Sequence, residues 1–124
     1  MKKKKDIKKL GIPNVCFSHS LPKDDERKKK FKKQRMERGF DNSELWSLSG
    51  TIAKFIIPRL EEFIEISNGV VLRTDKEKND LQTMLSAFKL VVRDDESWSF
   101  SKEEEKVVHK GLKLFAKKYF SLWW

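Results

Sequence analysis

Cysteine occurs once in these 124 residues, at Cys16. One thiol excludes an intrachain disulfide and a thiolate metal cluster. Histidine occurs twice, at His19 and His109, far apart in the chain. Neither has the HExxH spacing of a zinc site, and there is no glycine-rich phosphate loop. Long apolar runs are absent as well. The longest are triplets such as Val70-Val71-Leu72, whereas a membrane-spanning helix needs about 20 apolar residues. The Met-Lys-Lys-Lys-Lys opening imitates the basic start of a secretory leader, but no apolar stretch follows it. The expectation is a soluble cytoplasmic protein with no membrane partner, no metal and no cofactor.

Charge is what the chain does have, and it is unevenly placed. Residues 1–38 hold 12 Lys and 3 Arg against 5 acidic residues, a net of +10, while the other 13 basic and 14 acidic residues give −1. Such asymmetry points to an anionic partner for the N-terminal third. Apolar residues make up 38% of the chain and lie mostly between Phe40 and Trp124, where they suffice for one small core.

Residues 1–22 read as a basic, extended arm. Pro13 and Pro22 bracket a short apolar island, with strand-like character around Val15–Phe17. Residues 23–124 read as a single helical domain. A polar helix is expected over Lys23–Arg38, with Asp24, Asp25 and Glu26 in its first turn and Gly39 as its stop. Asp41, Asn42 or Ser43 caps the next helix. Its stripe runs through Leu45, Leu48, Ile52, Phe55, Leu60 and Ile64 to a stop at Asn68-Gly69. Pro58 inside it predicts a kink or two abutting helices. Thr74-x-x-Glu77 and Ser101-x-x-Glu104 are capping boxes for two further helices. The fold class is all-α: a small antiparallel bundle of three to four helices.

The stretch Arg35, Arg38, Gly39, Phe40, Glu44, Trp46, Ala53, Pro58, Leu60 fits a pattern R-x-x-R-G-[FW]-x-x-x-[DE]-x-W followed by P-x-L. The tail from Gly111 to Trp123 fits G-L-x-L-F-x-K-Y-F-x-x-L-W. Together the two blocks cover about half of the chain, and they resemble a widespread family of small bacteriophage proteins. Two positions depart from the pattern: Val70-Val71 follows Asn68-Gly69, and Ser49 stands where relatives are acidic. The resemblance extends to the phage anti-CBASS sponges, which sequester cyclic nucleotides of bacterial immune signalling. It implies a non-catalytic homo-oligomer, dimer or tetramer, in the cytoplasm of the infected host. Its partner would be a cyclic nucleotide, and its role immune evasion.

A cyclic dinucleotide needs cations for its phosphates and flat groups for its bases. Arg35, Arg38, Phe40 and Trp46 place both kinds within a dozen residues, and Lys54 and Arg59 follow on the next helix. Each has a plainer reading: Trp46 as a core anchor, Arg35 and Arg38 as charges complementing a helix end, Phe40 as a hydrophobic staple. Phe120, Trp123 and Trp124 are candidates for an oligomer interface, with local packing as the alternative. The Lys runs Lys2–Lys5 and Lys28–Lys33 are solvated charge, nucleic-acid contacts or a means of steering an anionic ligand. Asp94-Asp95-Glu96 and Glu103–Glu105 could be drawn as paired carboxylates, but acidic residues belong in a loop and a first turn anyway. Catalysis is therefore not expected. The alternatives to a sponge are a basic nucleic-acid-binding protein and a protein-interaction inhibitor of a host defence enzyme.

Overall fold

The computed structural model describes residues 16–93 and 100–124. Expectations for the arm up to Val15 and for the loop at Asp94–Trp98 lie outside those residues. Helix α1 spans Arg27–Arg38, α2 Leu48–Val70, α3 Asp75–Val91 and α4 Lys102–Lys118. Short 3-10 turns occupy Asn42–Leu45 and Tyr119–Ser121, and no strand occurs among the described residues. The fold is all-helical, as the apolar periodicity predicts. The chain forms two compact units that divide between Thr51 and Ile52.

In the first unit, α1 starts later than its charge pattern suggests. Asp24, Asp25 and Glu26 precede the helix. Asp25 turns back to accept from the Arg27 backbone N–H at 2.9 Å, and this local bond starts the helix in place of a first-turn carboxylate. The helix buries one side chain, Phe31. Gly39 ends it at φ 84, a left-handed conformation that glycine alone adopts cheaply, and its N–H reaches the Arg35 carbonyl at 2.9 Å. Asp41 then caps the 3-10 turn. It accepts from the Ser43 N–H at 2.8 Å, while Glu44 accepts from the Asp41 N–H at 2.7 Å.

The second unit holds the main core. Ala53, Leu60 and Ile64 of α2 meet Leu81, Met84, Leu85 and Phe88 of α3, with Leu114 and Phe115 of α4 packed against them. The reading of two abutting helices fails, because α2 is one helix through Pro58. It also overruns the expected stop: the Val71 N–H still bonds the Ser67 carbonyl at 2.7 Å, so Asn68 and Gly69 are helical. Both predicted capping boxes form, at Thr74–Glu77 and Ser101–Glu104. Gly111 is where α4 meets α3. A Cβ there would stand 2.3 Å from the Ala87 Cβ and 2.7 Å from the Thr83 carbonyl. No described helix is long and apolar enough to cross a membrane.

Candidate anion-binding cleft

The described end of the arm is stitched to the capping turn. The Phe17 N–H donates to Glu44 Oε1 at 2.7 Å, and the His19 N–H donates to Ser43 Oγ at 2.9 Å. The Ser18 hydroxyl donates to Asp41 Oδ2 at 2.5 Å, and the Cys16 thiol reaches the Gly39 carbonyl at 3.1 Å. Asp41 and Glu44 thus cap a helical turn with some atoms and hold an extended segment with others. The Arg35 guanidinium completes the knot, donating to Ser18 Oγ at 3.0 Å and to the Asp41 carboxylate. Burial pushes the Asp41 carboxyl up. Hydrogen bonds from Ser18, Ser43 and Arg35 outweigh burial together and hold it at about 2.

Anchoring the arm opens a cleft of about 420 Å³ against α1. Ser18, His19, Ser20 and Leu21 form one wall, and Lys28, Phe31, Lys32 and Arg35 form the other. The α1 residues are spaced three and four apart, which puts them on one helix face. Among the described residues no carboxylate lines the cleft. Asp41 lies behind Arg35 and offsets that one charge, which leaves Lys28 and Lys32 to set the sign. Asp24, Asp25 and Glu26 stand on the other side of Lys28, which borders them as well as the cleft. Asp25 pairs with Arg27 at 2.7 Å, and the hydrogen bond from that guanidinium holds its carboxyl down at about 2.

Arg35 is the one predicted ligand residue that lines this cleft. Trp46 backs it: its ring lies 5.3 Å from His19 and 5.9 Å from Phe31, with the Arg27 guanidinium 5.5 Å over its face. It is 53% exposed, so it is not a sealed core anchor. Arg38 is not among the residues lining the cleft. It covers Phe40 at 4.3 Å and bonds the Phe40 carbonyl at 3.1 Å and Asn42 Oδ1 at 2.5 Å. Lys54 and Arg59 belong to the second unit. Lys54 is exposed there. Arg59 covers Phe55 at 3.8 Å and bonds its carbonyl at 2.8 Å.

The lining residues that sequence reasoning missed are Ser18, His19, Ser20, Leu21 and Phe31. Lys28 and Lys32 entered it only as part of a Lys run, one reading of which was the steering of an anionic ligand. The Lys28–Phe31–Lys32–Arg35 spacing was visible, but nothing local in the sequence pairs the Ser-His-Ser segment with it. No family model, curated protein or solved structure matches this chain. Fold and site together define a class only: a small all-helical protein with a cationic cleft.

Proposed function

We propose that this protein binds a phosphate-bearing nucleotide without converting it, and that it sequesters a cyclic nucleotide signal, the role its resemblance to phage sponges implies. One observation carries the reading. A cleft of about 420 Å³ is walled by Lys28, Lys32, Arg35 and His19, with hydroxyls from Ser18 and Ser20 and apolar faces from Phe31 and Leu21. Its volume falls in the range of small-molecule sites. Cations and hydroxyls suit phosphodiester oxygens, and the exposed His19 ring offers a face to a base. The passive role is supported by what lines the cleft. The described lining offers charge and hydrogen bonds, and among the described residues no carboxylate stands there to pair with His19 as an acid–base couple.

A second reading has its own support. Lys29, Lys30 and Lys33 continue the positive charge of α1 outside the cleft, on exposed surface. Such a helix can follow a polynucleotide backbone. A thermal-shift panel separates the two. Cyclic di- and trinucleotides are compared with linear mononucleotides and a single-stranded oligonucleotide, at two salt concentrations. A ligand at a hundred times its Kd adds about 2.7 kcal/mol of stability, a shift of several degrees. The sponge reading expects that shift with a cyclic nucleotide, which chromatography then recovers unchanged. Binding of the oligonucleotide alone, falling steeply with salt, favours the second reading. No shift with any of them ends both.

A further inference from the structure

The second unit carries an aromatic face that the ligand site does not use. Phe120 is 92% exposed, Trp123 70%, Trp124 61%, Tyr119 56% and Phe55 48%. Of these, Tyr119, Phe120 and Trp124 make ring contacts. Phe115, Tyr119 and Phe120 follow one another at 5.6 Å, and Trp124 lies 6.3 Å from Phe63. Phe63 and Phe115 both line a shallow groove of about 170 Å³ with Phe55, Ile56, Leu60 and Leu122. Arg59 is the one polar residue in that lining. An apolar space of about 150 Å³ accepts one benzene ring.

From this geometry we infer that the face is the interface of a two-fold symmetric dimer, in which Phe120 of each copy enters the groove of the other. Three observations name a second copy as the occupant. First, knob and hole lie on the same unit, and a surface that carries both is completed by its own copy about a two-fold axis. Second, at 150–250 Å² per ring the five exposed aromatics present roughly 700 Å², close to the ~800 Å² per partner of a stable interface and beyond what monomers usually leave open.

Third, lysines stand beside the knob, and a glutamate stands one helical step from Arg59 at the hole. Lys113 and Lys117 share the helical line that leads to Phe120, by steps of four and three. Glu62 follows Arg59 at the groove by three residues, which makes the two neighbours on the surface of α2. None of these three has an ion-pair partner among the described residues. Dimerisation sets the lysines beside one knob near Glu62 beside the other hole. This interface stands whether or not the cleft binds a nucleotide.

Light scattering after size exclusion, on the full chain, tests it. The expected mass is twice 14.7 kDa. Phe120→Glu lowers it to a single chain with an unchanged far-UV spectrum, since Phe120 supports no core. Glu62→Lys and Lys117→Glu each weaken the dimer at least tenfold, and the two together restore most of that loss. A wild-type protein that stays monomeric at its highest soluble concentration overturns the inference. So does a dimer that Phe120→Glu leaves intact. Should Phe120→Glu disturb folding, the charge exchange decides alone, and failure of the double variant to recover then overturns it.

Discussion

Arg35 and Asp41 form an ion pair whose two ends live in different surroundings: the Asp41 carboxylate is sealed from solvent, while the Arg35 side chain is 31% exposed. The carboxylate is tolerable there because Arg35, Ser18 and Ser43 all donate to it. Its pKa, about 2 against 3.8 in the unfolded chain, makes the pair a source of acid sensitivity. A folded-state value below the unfolded one stabilises the protein in full above pH 3.8, and that contribution drains away as the pH falls toward 2. The difference is worth roughly 2 kcal/mol. Urea titrations from pH 6 down to pH 2 are expected to lose that much at the acid end in the wild type. Asp41→Asn is expected to start lower and to depend less on pH. Equal acid slopes for the two proteins would refute this account.

Cleft charge has a separate signature. Lys28 and Lys32 are exposed and have no structural duty, so Lys28→Glu with Lys32→Glu is expected to leave stability nearly unchanged. It is expected to weaken any phosphate-bearing ligand at least tenfold, measured by calorimetric titration. The same exchange at Lys29 and Lys33, on α1 but outside the cleft lining, is expected to cost far less. Equal losses from the two pairs would move the site out of the cleft and onto the helix as a whole.

How much of this was legible beforehand depends on the range of each interaction. Both capping boxes could be read because their donors and acceptors stand three residues apart, at Thr74–Glu77 and Ser101–Glu104. The core stripe of α3 followed from apolar spacing alone. The knot around Asp41 could not be read, because its partners Phe17, Ser18 and Arg35 lie 6 to 27 residues from the groups they bind. That knot also explains why Arg35 changed meaning. It was a candidate ligand residue by type, and it lines the cleft, but much of its charge is spent on Asp41. Gly69 misled for another reason. A stop signal of that kind acts only if the glycine turns left-handed, and Gly39 does so while Gly69 stays in the helix.

Capping gives a test of the second unit that leaves the cleft alone. Thr74 and Ser101 each accept from the N–H three residues ahead, at 3.1 Å in both cases. Replacing either with Ala is expected to cost about 1 kcal/mol. The two sites cap different helices, so the double variant should cost close to the sum. Urea midpoints at neutral pH measure all three. A double variant much less costly than the sum would mean that one helix start frays without loss.

The sharpest structural prediction concerns Gly111. The Ala87 side chain and the Thr83 carbonyl occupy the space a Cβ would need, at 2.3 and 2.7 Å. One of those obstacles is backbone and cannot swing aside, so α4 must move off α3 to make room. In an exposed helix, Gly→Ala normally stabilises by up to about 1 kcal/mol. Here overpacking of about 1–3 kcal/mol opposes that gain, so Gly111→Ala is expected to be net destabilising. Gly69→Ala serves as the control. It lies in α2 with nothing within 4 Å of its would-be Cβ and should stabilise. Thermal unfolding of the two variants beside the wild type gives shifts of opposite sign if α3 and α4 cross at Gly111 as described. A stabilised Gly111→Ala would mean that the helices stand further apart there.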